Sequence, residues 1–321
     1  MAAERRNLLQ APEAVVMIRP HHFHPNPETM ADNAFQRRSD DAAVAVAARA
    51  LAEFDAAVAK LRGAGIAVHV FDDDGARNTP DSVFPNNWFS THIGGHIAIY
   101  PMHAPNRRRE RRADVIEMLK ANYRVQDVID YSGLEQDGIS LEGTGAMVLD
   151  HVGRIAYTVR SNRADPVALE RFCTHFGYEP MVFEARDGAG REIYHTNVLM
   201  CIGTDMAMVG LDHVVNAARR DEIAARLAEG GRAVILLSPA EIAGFAGNAI
   251  ELSGTEGRVL VLSRTALEAL TAANRAALQA ILPLMALDVP TIELAGGSVR
   301  CMIAGIHLTP RPPFDAGKAT K

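Results

Sequence analysis

One unit recurs about five times along the 321 residues: a helix, a short strand, then a hairpin-like pair of strands. A repeat constrains the fold more than composition does, because each unit must bury its apolar face against its neighbours. Apolar residues at helical spacing mark about Asp41 to Arg62, Arg108–Asn122, Pro166–Phe176, Val215–Glu229 and Thr265–Leu282. A β-rich run follows each helix, at Ile66–Phe71, Tyr123–Ile129, Tyr178–Glu184, Gly231–Leu237 and Asp288–Leu294. Strand pairs come next, at Ala146–Asp150 with Gly153–Arg160, Val198–Gly203 with Met206–Leu211, and Ala249–Ser253 with Arg258–Ser263. Gly, Asp and Thr at their breaks are turn residues. The C-terminal run Cys301–Pro310 lacks a partner strand, and Ala14–Pro20 is unpaired. Pairing these two closes a ring and removes exposed sheet edges. The expected fold is therefore α/β, a ring of five units forming one domain over 1–321.

A second periodicity lies inside the first. Glu142, His195, Asn248 and Cys301 follow one another at a constant interval of 53 residues, each just before the first strand of a hairpin. Asp81 stands one unit earlier, 61 residues before Glu142. Equivalent positions of a ring converge on one axis. A purely structural repeat would place like residues there, whereas these positions hold different, chemically active side chains.

Each of these residues has an ordinary alternative. The chain has three cysteines, Cys173, Cys201 and Cys301, too few and too scattered for a disulfide framework or a paired-cysteine metal motif. Cys173 on a helix and Cys201 within a strand read as packing. Cys301 could be a buried structural thiol, but it follows the Gly296-Gly297 pair, neighbours Arg300 and begins an apolar strand. A nearby imidazole, His195, would favour its thiolate and could return a proton to a leaving amine. Glu142, flanked by glycine, is either a solvated turn residue or the carboxylate that orients that imidazole. Asp81 sits among Phe84, Trp88 and Phe89. It is either a Pro-Asp turn residue or an acceptor for the N–H groups of a guanidinium or urea.

Other clusters read more plainly. His21, His22 and His24 share no face of a helix or strand, and no cysteine is near, so no metal is expected. The polar, Pro-rich segment 19–36 that holds them suits a loop over a site, with 21–35 as its covering part. The basic run Arg107–Arg112 reads as a solvated helix start from which one arginine could face inward.

Bulk properties narrow the class. The chain is 48% hydrophobic and 22% charged with a formal net charge of -6, a globular mixture without the basic excess that nucleic acids or anionic membranes call for. No apolar run approaches the roughly 18 residues of a bilayer span. The first 17 residues lack a secretory core, so the expected location is the cytoplasm.

The segments 19–36, Asp81–His92, Leu141–Asp150 and Gly296–Leu308 together resemble the guanidino-group-modifying superfamily. It includes arginine deiminases, dimethylarginine dimethylaminohydrolases and amidinotransferases on a pseudo-five-fold α/β propeller of ββαβ-type units, the pentein fold. The resemblance runs from Val15 to Pro310 and is nearest to the branch assigned as citrulline hydrolases (CtlX). It implies Cys301 as covalent nucleophile, His195 as general acid and base, and Glu142 as the carboxylate of the family's Glu-Gly motif. Asp81 is implied as the ligand of the guanidino nitrogens, and Arg160 as that of the substrate carboxylate, with Arg108 a second arginine whose register against Arg107 stays open. Asn87, within the Phe84–Trp88 wall, and Asn197 and Asn248 complete the implied substrate contacts.

The chain departs from the deiminase pattern where Asn197 replaces the acid of a His-x-Asp triplet and Gly145 that of Glu-Gly-Gly-Asp. Fewer acids favour a neutral ureido group over a cationic guanidinium. The expected reaction is therefore citrulline to ornithine, ammonia and carbon dioxide, with guanidine hydrolysis or amidinotransfer as alternatives and a non-catalytic binding protein on the same fold as a remote one. No cofactor or metal is expected, and the expected partner is a small amino acid. A homodimer is left open.

Overall fold

The computed structural model of the chain describes residues 10–312. The single-domain expectation over 1–321 and the leader reading of the first 17 residues extend beyond them at 1–9 and 313–321.

Five three-stranded sheets share one design. β1 (Ala14–Pro20) lies parallel to β2 (Ala67–Asp73). β3 (Phe89–His92) is antiparallel to β4 (His96–Ile99), which is parallel to β5 (Asp127–Asp130). The order repeats in β6 (Met147–Asp150), β7 (Ile155–Val159) and β8 (Glu179–Phe183). It repeats again in β9 (Met200–Ile202), β10 (Met206–Val209) and β11 (Ala233–Leu236). The fourth such set is β12 (Ile250–Gly254), β13 (Gly257–Ser263) and β14 (Leu284–Leu287). The last strand, β15 (Ala304–Ile306), pairs antiparallel with β1, so the first sheet takes its strands from both ends of the described chain. This is the pentein α/β fold, closed by that pairing.

Parallel neighbours need a crossover, and a helix supplies it in each unit. The crossovers are α1 (Ala43–Gly63), α2 (Ala113–Asn122), α3 (Pro166–Phe176), α4 (Ala217–Ala228), and the pair α5 (Arg264–Ala269) and α6 (Ala272–Gln279). α3 shows how sequence sets such an element. The Asp165 side chain accepts from Val167 N, Pro166 opens the helix, and Gly177 ends it at φ 66°. Its buried face is Ala168, Leu169, Phe172, Cys173 and Phe176. Apolar packing is divided among several clusters around the ring, each between sheets and their helices.

Four local expectations need correction. The 265–282 window is two helices, because Ser263 and Thr271 each cap a new start. The basic run is a separate 3-10 turn, Arg107–Glu110, and α2 begins only at Ala113. Asp288–Leu294 is not a strand. The Glu53 carboxylate accepts from the backbone of Thr291 and Ile292 at 3.0–3.1 Å, Pro290 offers no donor, and Leu284–Leu287 forms the strand instead. Cys301 does not begin a strand either. It lies inside the helical turn Val299–Met302, ahead of β15.

The inner edge of the ring positions the site. β3 packs on β15, β6 on β9 and β9 on β12. Short helical turns precede these strands: Pro85–Asn87, Gly143–Ala146, Thr196–Val198 and Val299–Met302. The first packs against the second and the fourth, and the second against the third.

Candidate active site

Those turns, with the loop before β12 that carries Asn248, hold the 53-residue series. Cys301 and His195 are 2% exposed, and Glu142 and Asn248 are fully buried. The Cys301 thiol receives two amide donors, Asn197 Nδ2 and Asn248 Nδ2, each 3.2 Å from Sγ. Asn248 is fixed in turn by donating to Asn197 O (3.1 Å) and accepting from Arg300 N (2.9 Å).

His195 Nε2 lies 2.8 Å from Glu142 Oε2. That contact leaves Nδ1 as the ring nitrogen available for proton transfer. Burial lowers the imidazole to about 4, and the Glu142 hydrogen bond offsets only part of this. Burial also pushes the Glu142 carboxyl up, but Arg163, His195 and Arg107 together hold it well below the usual carboxylate range. The pair at neutral pH is a neutral imidazole on a carboxylate, the state a general base needs.

Two buried arginines complete the charge balance. Arg107 binds Glu110 through Nε (2.8 Å) and Nη2 (3.0 Å), and approaches Glu142 at 3.6 Å and Asp81 at 3.7 Å. The Asn87 amide oxygen, assigned from its surroundings, accepts from Arg107 Nη1 and Nη2 at 3.0 and 3.1 Å. Arg163 reaches Glu142 at 3.4 Å and Asp32 at 2.5 Å, and stacks on the Tyr194 ring. Tyr194 OH donates to Gly296 O at 2.8 Å, ahead of the cysteine turn.

Asp81 is 3% exposed. Its Oδ2 accepts from Asn26 Nδ2 at 2.8 Å, whereas its Oδ1 and the Asn197 Oδ1 are buried without a donor among the described residues. Burial raises the Asp81 carboxyl against the pull of Arg107. Gly145 accounts for one departure noted in the sequence. A Cβ there would overlap the Asn87 amide and come 2.8 Å from His195 Nδ1.

The segment 21–35 bonds to this group through side chains not singled out in the sequence. Asn26 meets Asp81, Asp32 meets Arg163, and Asn33 Nδ2 donates to Ala295 O at 3.2 Å. The three histidines at its start diverge: His21 to Asp72, His22 against Gly75, His24 to Pro25 O.

The two arginines implied as carboxylate ligands lie at the periphery of this group. Arg160 stands outside the buried group, its side chain 64% exposed and 3.9 Å from Glu184. Arg108, 35% exposed, donates to Met102 O and His103 O. The inward positions belong to Arg163 and Arg107. A bridge between Leu141 and Ala164 sets Arg163 beside Glu142, with Glu142 N donating to Arg163 O at 3.0 Å. No local pattern announces that long-range pairing. Cys173 and Cys201 lie in apolar clusters, where burial lifts both thiols to about 12. Among the described residues no group of three or more metal-ligating side chains occurs, and no helix is long and apolar enough to cross a membrane.

A five-unit propeller with a thiol, an imidazole and a carboxylate around its inner turns places the chain in the guanidino-group-modifying superfamily. Within it, the chain belongs to the family described as N,N dimethylarginine dimethylhydrolase, eukaryotic, which matches residues 19–308. No curated protein matches the sequence. Among solved structures, the substrate-bound N-terminal domain of ArgZ, a cyanobacterial arginine dihydrolase, is 15% identical with a TM-score of 0.71, covering 91% of this chain and 97% of that one. AgrE with ornithine and NAD+ has a TM-score of 0.69 at 14% identity, over 94% of this chain and 40% of that one. A dimethylarginine dimethylaminohydrolase adduct with S-methyl-L-thiocitrulline has a TM-score of 0.60 at 14% identity, over 92% and 100%. The likenesses establish a shared fold.

Proposed function

We propose that the chain is a cysteine-dependent hydrolase of guanidino and ureido C–N bonds, with arginine dihydrolase-type chemistry: arginine to ornithine, carbon dioxide and two molecules of ammonia. One observation carries the reading. Asp81 Oδ1 and Asn197 Oδ1 are buried acceptors without donors, and the Asn197 amide also touches the thiol. Buried acceptors are costly unless filled, and guanidino and ureido groups supply planar arrays of N–H donors.

The proposed steps use the thiol, the imidazole and the carboxylate in turn. Cys301 Sγ attacks the guanidino carbon while His195 Nδ1 takes its proton, and a C–S bond forms. His195 returns the proton to the terminal nitrogen, which leaves as ammonia. Water, deprotonated by His195, adds to the S-bound carbon; the C–S bond breaks, the proton returns to sulfur, and a ureido group remains. A second round on that carbon releases another ammonia and leaves a thiocarbamate. Its hydrolysis yields a carbamate that loses carbon dioxide, giving ornithine. Glu142 steadies the imidazolium formed at each transfer. One domain over 1–321 carries all the steps.

A second reading, citrulline hydrolysis alone as in the CtlX branch, draws on the amides Asn87 and Asn197 and on Gly145, where acids would favour a cation. Separate incubations with arginine, citrulline and dimethylarginine decide between them. Ornithine with two equivalents of ammonia from arginine supports the first reading. Ornithine from citrulline only selects the second. Dimethylamine and citrulline as end products from dimethylarginine would overturn both.

A further inference from the structure

Beyond the catalytic group, Arg300 stands out by what it lacks. The buried Arg107, Arg163 and Arg232 each hold a carboxylate, at 2.8, 2.5 and 2.6 Å. The Arg300 guanidinium makes one hydrogen bond among the described residues, from Nη1 to Ile303 O at 3.0 Å, and no ion pair. Burial pushes it below the ordinary arginine value. Half-buried, with the Cys301 and Cys201 thiols as the ionisable groups that favour its charge, it is a cation without a carboxylate counter-charge among the described residues.

Its surroundings form a small chamber. Arg300, His151, His307, Thr91, Thr144 and Gly305 line a cavity of about 40 Å³ between the inner strands β3, β6, β12 and β15. A single water needs roughly 10–15 Å³, so the space holds a solvent molecule or a small ion but no organic metabolite. No acidic side chain lines it. Thr91 and Thr144 spend their hydroxyl protons on Gly305 O and Asn86 O. His151 Nδ1 meets the Tyr178 hydroxyl at 2.7 Å, which leaves Nε2 for a proton and a further partner. The chamber thus pairs an uncompensated guanidinium with an imidazole donor.

We infer that this cavity is a binding site for a small inorganic monoanion of chloride size, held by the Arg300 guanidinium with support from His151. It is independent of which C–N bond the enzyme cleaves. The ion supplies the counter-charge that the chain omits, at the inner end of the turn that carries Cys301.

The test uses the full chain at constant ionic strength. Sodium chloride is exchanged for sodium gluconate, whose anion is too large for the cavity, and crystals are grown in sodium bromide for anomalous scattering. The expected result is a bromide peak within hydrogen-bonding reach of Arg300. Chloride should also stabilise the wild type, with a folded-to-unfolded ratio about a hundredfold higher at a hundred times the dissociation constant. Arg300→Gln should lose that dependence. Absence of the peak overturns the inference even if this variant fails to fold. An equal chloride effect in both proteins, or a peak without chloride-dependent stabilisation (an adventitious ion only), overturns it as well.

Discussion

Asp32 Oδ1 lies 2.5 Å from Arg163 Nη2, so the covering segment is tied to the same guanidinium that stands 3.4 Å from Glu142. Asn162 Nδ2 adds a bond to Asp32 Oδ2 at 2.9 Å. The cover and the His195–Glu142 pair therefore share one cation. Asp32→Asn should lower kcat/KM about tenfold, the weight of a partly exposed charge-assisted hydrogen bond. Global stability should fall by about 1–3 kcal/mol, because the buried Arg163 keeps only Glu142 as counter-charge. Steady-state kinetics beside a thermal melt checks this, and an unchanged kcat/KM would show that the latch has no bearing on turnover.

At the sulfur, Asn248→Asp replaces an amide donor 3.2 Å from Sγ with a carboxylate. A like charge beside a thiolate disfavours it. The rate of iodoacetamide alkylation of Cys301 at neutral pH should fall about tenfold or more. Asn248→Ala removes the donor without adding charge and should lower it less. Equal rates in all three proteins would mean that these amides do not tune the thiol.

Acid sensitivity follows from His195. Burial lowers it from 6.5 to about 4, so between those values the unfolded chain binds the extra proton. Its contribution to stability is complete above pH 6.5 and is lost progressively down to about 4. The loss is on the order of 3 kcal/mol. Glu142, held below its ordinary value, loses stability in the same direction at lower pH. In urea titrations from pH 7 to 4, His195→Gln should flatten the part of the slope that begins at 6.5. An equally steep slope in the variant would assign the effect elsewhere.

Gly145→Ala probes how tightly the inner turns pack. The added methyl would overlap the Asn87 amide and reach 2.8 Å from His195 Nδ1. The expected cost is about 1–3 kcal/mol of stability, with a fall in kcat larger than any change in KM. Gly188, which has no atom within 4 Å of an added Cβ, is the control, and Gly188→Ala should be silent in both measurements.

The ring was legible because its signals are local and repeated. Helical spacing located α3 at its observed ends, and the unpaired Ala14–Pro20 and Cys301–Pro310 segments pointed to the closure made by β1 and β15. Where the sequence misled, a distant partner decided. Asp288–Leu294 has the apolar content of a strand, yet Glu53, about 240 residues earlier, takes two of its backbone donors. The basic run reads as solvated with one arginine free to turn inward, without showing which one. Arg107 is buried there only because Glu110, Asp81 and Glu142 meet it inside.

By itself the sequence determined the repeat, the closure of its ends and the 53-residue series that holds Glu142, His195, Asn248 and Cys301 in register. These follow from spacing, which the backbone converts directly into position. Tertiary structure alone decided which charges turn inward: Arg163 rather than Arg160, Arg107 rather than Arg108, and Asp32 from the cover. The physical reason is desolvation. Whether a charge can be buried depends on partners brought from far along the chain, and neither helical nor strand periodicity records where those partners will be.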